Sequence, residues 1–209
     1  MAKINKMKLE NRINAFVKLG LFLGQFAHES KLDELSDLND EHYDSFNDLI
    51  ARQKSQNGWF DKTNVLRAIS GVSFMLRENH LKEWLANYDF SNVNPKRVGV
   101  VMAGNIPLVG FHDYLSVLIS GHYLDAKLSS KDTQLFIKLT DVLSSIEPEL
   151  AARVSFKDKL DNIDAVIATG SDNSARYFEH YFGKYPHIFR KNRNSVAVIG
   201  EQDEEAEIC

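Results

Sequence analysis

One stretch constrains this chain more than any other: Arg97-Val-Gly-Val-Val-Met-Ala-Gly-Asn-Ile-Pro-Leu-Val-Gly-Phe111. Its β-branched apolar run reads as a buried strand that stops at Ala103-Gly104-Asn105, and a helical pattern begins beyond Pro107. Strand, small-residue turn and helix form the unit of open α/β sheets, which bind ligands in the crevice beyond the strands' carboxyl ends. Backbone N–H groups at the start of the following helix have no intrahelical partner there. An asparagine at that corner adds an amide donor suited to a developing negative charge. The bland alternative is a tight turn with Asn105 in the left-handed conformation.

The plan repeats downstream. Strands are expected at about Arg97 to Ala103, Tyr123 to Leu128, Asp164 to Thr169 and Ser195 to Ile199. Helices are expected at about Leu108 to Ser120, Asp132 to Ile146 and Asn173 to Phe182. Successive β-α-β units imply parallel strands with right-handed crossovers, hence an α/β fold with a Rossmann-like doubly wound sheet. Residues 9–88 read instead as helical. Leu9, Ile13, Phe16, Val17, Leu23 and Ala27 share one face, and Asp61 or Thr63 precedes a helix carrying Val65, Ala68, Ile69, Val72 and Leu76. The polar, proline-bearing joint Phe90-Ser-Asn-Val-Asn-Pro-Lys96 separates the two textures. The expected division is a helical region over 1–90 and an α/β domain over 91–209.

Composition narrows the class. Apolar residues at 44% and charged residues at 26% of 209 suit a globular protein with a real core. A formal net charge of −4 argues against a dedicated nucleic-acid binder. No apolar run approaches the roughly 20 residues that cross a bilayer, and a cytoplasmic address is the expectation. A single cysteine, Cys209, excludes an internal disulfide and offers no metal cluster.

Three loops are expected at the carboxyl edge of the sheet: Ala103-Gly104-Asn105, Lys127-Leu-Ser129-Ser130-Lys131-Asp132, and Ala168-Thr-Gly170-Ser171. The second offers hydroxyls and ammonium groups to an anionic or polyhydroxyl ligand, against a plain reading as a solvated turn with Asp132 capping the next helix. The third places a glycine and a serine before a helix N-terminus, where pyrophosphate binds well, against a plain reading with Asp172 as the cap. The chain has neither G-x-G-x-x-G nor a P-loop. His112, His122, His180 and His187 form no metal-like pair, and His122 is expected at the end of the sheet opposite the loops. Arg190-Lys-Asn-Arg193 reads as a solvated basic loop, and Trp59 and Trp84 as packing anchors.

The segments Val98 to His112, Leu118 to His122, Lys127 to Asp132, Ala165 to Ser171, Ala175 to Phe178 and Tyr181 to Val198 together resemble the LuxC-type acyl-CoA reductases, a branch of the aldehyde dehydrogenase superfamily. The resemblance implies an aldehyde-dehydrogenase-type cofactor domain and NADPH-dependent reduction of a fatty acyl-CoA, or another activated acyl group, to an aldehyde through a cysteine thioester. It implies that Asn105 supports the oxyanion, that Lys127 and Ser129 hold the adenine ribose of NADP(H), that Ser130 falls where NAD-preferring relatives often carry an acid, and that Gly170 and Ser171 meet the pyrophosphate; Gly104 and Lys131 are counted with them as cofactor-binding. A hydroxyl at Ser130 with Lys131 beside it suits a 2′-phosphate that a carboxylate would repel. Cys209 stands after the acidic Glu201-Gln-Asp-Glu-Glu-Ala-Glu-Ile208, and neighbouring carboxylates raise a thiol pKa. The expectation is therefore an N-terminal piece, inactive alone, whose nucleophile lies outside the chain, with a homodimer or an acyl-transfer enzyme as candidate partner. The alternatives are a non-catalytic nucleotide- or CoA-binding module and an interaction subunit.

Overall fold

The computed structural model describes residues 7–28 and 30–191. The apolar stripe of the N-terminal region folds as α1 (Leu9–His28), which buries Phe16, Leu19, Phe22, Leu23 and Phe26. A 3-10 turn (Asp33–Leu35), α2 (Ser36–Leu38) and a π-helical turn (Asn39–Tyr43) lead into α3 (Asp44–Gln56). The turn-prone stretch between is held by one buried amide pair: Gln25 Nε2 donates to Asn39 Oδ1 at 2.9 Å, and Asn39 Nδ2 to Gln25 Oε1 at 3.0 Å. Asp61, not Thr63, caps α4 (Lys62–Met75), its carboxylate accepting from the Asn64 N–H at 2.8 Å. Helix α5 (Glu78–Leu85) follows. Trp59 is 81% exposed, so it is no packing anchor; Phe60, fully buried, takes that place beside the Asn57-Gly58 turn.

Beyond the joint come β1 (Arg97–Val101), α6 (Phe111–Ile119), β2 (Tyr123–Lys127), α7 (Gln134–Ile146), α8 (Pro148–Ala151), β3 (Val154–Phe156), β4 (Ala165–Thr169), α9 (Asp172–Phe182) and β5 (His187–Arg190). The five strands lie in the order β3-β2-β1-β4-β5, every neighbouring pair parallel. The chain leaves β1 toward β2 and β3, then returns across the sheet to β4 on the other side of β1. This is the Rossmann-like arrangement the repeats predict, and its switch point falls between β1 and β4.

Two strands were not expected from the sequence. Strand β3 is only three residues long, and β5 precedes the stretch read as a loop and takes in its first residue, Arg190. Helices α6 and α7 begin three and two residues later than expected, because Leu108 and Asp132 are used elsewhere. The strand expected at Ser195 to Ile199 lies outside the described residues. Parallel strands are buried on both faces. Val98, Val100, Leu124 and Ala126 enter one apolar core that also holds Phe16 and Phe46, so the core runs unbroken across the joint near residue 90. The opposite face is covered by α9 and by the helix-free crossover from β3 to β4, through the small cluster Leu160, Ile163 and Val166. Among the described residues, no helix is long and apolar enough to cross a membrane.

Candidate functional site

The first and third corners and part of the second meet. Gly104, Asn105, Ser129, Lys131, Gly170 and Ser171 all line one cavity of about 1040 Å³ at the carboxyl ends of β1, β2 and β4. Thr169 and Phe178 complete one wall, and Arg190 and Lys191 the rim beyond β5.

Gly104 makes the meeting of the first two corners sterically feasible. A Cβ there would stand 2.5 Å from Ser129 Cβ and closer still to its Oγ. The second corner is itself a closed turn, in which the Ser129 carbonyl accepts from the Asp132 N–H at 3.0 Å and from Thr133 Oγ1 at 2.9 Å. Asp132 does not cap α7. Its Oδ2 accepts the Leu108 N–H at 2.7 Å, so a buried carboxyl braces the second corner against the first. Leu108, not Asn105, is the left-handed residue of this loop, at φ 56°. Asp132 is 1% exposed and its Oδ1 has no partner; burial pushes its pKa up to about 7. Sequence reasoning missed this group because an aspartate before a helix reads as a cap.

The third corner ends in an N-cap at Ser171, whose hydroxyl accepts from the Ser174 N–H at 3.4 Å; Asp172 begins the helix and does not cap it. A Cβ at Gly170 would stand 2.8 Å from Ser174 Cβ and 3.0 Å from Phe178, so only glycine lets α9 seat against the end of β4. The first turn of this 11-residue helix therefore opens onto the cavity, where the helix dipole favours an anion.

Other expected residues stand apart. Lys127 ends β2 at the same edge, but its ammonium donates to the Asp158 carbonyl in the β3–β4 crossover and does not line the cavity. Ser130 is exposed and also stands outside the lining. Asn105 is exposed at the cavity, and its side-chain amide makes no hydrogen bond among the described residues. His122 sits where expected, before β2 at the opposite edge, with Nδ1 accepting the Lys96 N–H at 3.1 Å.

Arg190 was read as part of a solvated loop. It ends β5, lines the cavity, and donates from Nη1 to Asp113 Oδ2 at 2.5 Å. Asp113, on α6, is buried; burial alone would raise its pKa, but His112 and Arg190 outweigh that and hold it below the usual carboxylate value. Lys191 pairs with Glu179 at 3.2 Å, whereas Lys131 makes no ion pair among the described residues. A smaller cavity of about 370 Å³, bordered by His112, Asp113 and Arg190, opens beside the first. The described residues hold no cluster of metal ligands. The sequence matches no protein-family model and no curated protein.

Proposed function

We propose that the large crevice receives NADP(H), and that this chain is the cofactor-binding part of an aldehyde-dehydrogenase-type reductase that converts an acyl-CoA, or another activated acyl group, to an aldehyde. The observation that carries the reading is the crevice's charge: Lys131, with no ion pair among the described residues, lines it beside Arg190 and Lys191, which Asp113 and Glu179 pair from outside the lining, and no described carboxylate lines it. A dinucleotide bearing a 2′-phosphate is the kind of polyanion such a lining selects.

The residues present fit that ligand. The first turn of α9, with Gly170 and Ser171, would hold the pyrophosphate, while Ser129 and Lys131 would bond the 2′-phosphate. Phe178 supplies an apolar wall. Lys127 and Ser130 keep secondary roles in this reading, because neither lines the crevice. When bound, the cofactor supplies hydride. In this reading the unengaged amide of Asn105, which lines the crevice, would donate to the acyl oxygen as it gains charge. The acyl-accepting thiol belongs outside the described residues, where Cys209 also lies.

Calorimetric titration with NADPH, NADH and CoA tests the reading. NADPH is expected to bind about tenfold or more tighter than NADH, the worth of one charge-assisted phosphate contact. Equal affinity for the two, or none for either, would sink it. A second reading, a CoA- or nucleotide-binding module without chemistry, draws on the lack of any cysteine among the described residues; binding of CoA without NADPH would select it. The chain alone is expected to form no aldehyde from acyl-CoA and NADPH.

A further inference from the structure

At the amino-terminal edge of the sheet, far from the crevice, two arginines are buried without a counter-charge. Arg12 of α1 is 5% exposed and Arg153, just before β3, is 7% exposed. Neither forms an ion pair among the described residues. Each donates instead to a carbonyl: Arg12 Nη1 to Met7 at 2.8 Å, and Arg153 Nη1 to Gly121 at 2.6 Å. Arg12 Nε is buried with no partner. The nearby carboxylates are engaged elsewhere, Asp125 with Arg97 at 2.7 Å and Asp164 with the Arg97 N–H at 2.8 Å and Lys96 at 3.9 Å.

Burying two unpaired guanidiniums side by side is unfavourable, and a buried charge ordinarily has a partner. Stacking of Arg153 over Tyr123, at 5.3 Å, offsets part of that cost and fixes the guanidinium. Both arginines line the same cavity of about 170 Å³, together with Lys8, Ser91 and Gly121. That is several times the share of one water, about 30 Å³. The field is felt locally: burial and Arg153 lower the Arg12 pKa, and burial, then Arg12 and Arg153, lower that of His122.

We infer that this cavity is a second anion site, which takes a compact doubly charged oxyanion (inorganic phosphate or the terminal phosphoryl group of a small phosphomonoester) between Arg12 and Arg153. The bound anion supplies the missing partner of both guanidiniums and clamps α1 to the starts of β2 and β3, so occupancy stiffens the seam between the helical region and the sheet.

The test is titration with inorganic phosphate, and separately glycerol 3-phosphate, against chloride at matched ionic strength, followed by thermal unfolding and by the NMR signals of the His122 ring. The ring reports this edge alone, so an anion held in the crevice does not imitate the result. Saturable binding should raise the melting temperature and move the His122 pKa upward. Binding of both probes places a phosphomonoester within the site's range; binding of inorganic phosphate alone marks it as closed around the free ion. Arg153→Gln should weaken binding about tenfold or more. The rim variant Lys8→Gln, which leaves the buried pair intact, should weaken it about two- to fivefold. No saturable shift of the His122 ring with either probe, or undiminished binding in both variants, would overturn the inference and leave the arginines as donors to Met7 and Gly121 only.

Discussion

The two faces of the sheet are built unequally. One is buried under α6, α7 and the N-terminal helices in a single core that includes Phe16, Phe46, Tyr114 and Phe136. The other is covered by α9 and a short crossover, whose buried cluster is Leu160, Ile163 and Val166. The site divides along the same line. Its first two corners are tied together by Asp132 and the contact at Gly104. Its third corner, with β5, rests on the thinner side. More buried apolar surface thus backs the first two corners of the crevice than the third.

Truncations test this most strongly. Phe136→Ala should cost about 3–5 kcal/mol and Leu160→Ala only about 2 kcal/mol in urea unfolding; equal losses would break the comparison. Asp132 gives the next effect, through pH. Its folded pKa is raised to about 7 from an ordinary 3.8, so its stabilising contribution is full below pH 3.8 and is lost as pH rises through about 7. Asp132→Asn should remove a slope of up to about 1.4 kcal/mol per pH unit from that window in a series of unfolding curves. An unchanged slope would show that the brace is not a protonated carboxyl. On the thin side, Gly170→Ala should cost about 1–3 kcal/mol by pushing Ser174 and Phe178 outward. It should also weaken NADPH more than Gly104-side changes of equal stability cost. Smallest is Lys131→Ala, which should leave melting unchanged and weaken NADPH about tenfold but NADH little, read by calorimetry.

What could be read from the sequence followed hydrophobic periodicity. Strands β1 and β4 are apolar runs with clear stops, β2 followed from the repeated strand-helix plan despite Asp125 inside it, and α1, α4, α7 and α9 carry regular stripes, so their placement needed no tertiary information. Strand β3, Val154-Ser-Phe156, is too short to show a period. Strand β5 mixes His187 and Arg190 with Ile188 and Phe189, a pattern set by its position at the sheet edge, where most of it is exposed. Within the site, the glycines were legible because close approach demands them, whereas the N-cap of α9 falls on Ser171, one residue before the expected Asp172. Side-chain direction was not. Lys127 and Lys131 look equivalent in sequence, yet one reaches the Asp158 carbonyl and the other the crevice. Asp132 and Arg190 owe their roles to partners 24 and 77 residues away, which no local pattern reveals.

The crossover from β3 to β4 has a mechanical consequence. Residues 157–164 must span three strand spacings, about 14 Å, while also returning along the strand direction, and eight residues reach at most about 26–29 Å when fully drawn out. Because Phe156 stands level with Ile167 in the sheet, the return is short, and the surplus length is taken up in seating Leu160 and Ile163 against the sheet face. Lengthening it should be tolerated at its exposed middle, near Asp161 and Asn162. Shortening it by two or three residues should drag Leu160 and Ile163 out of register and loosen the very strand that delivers Gly170 to the crevice.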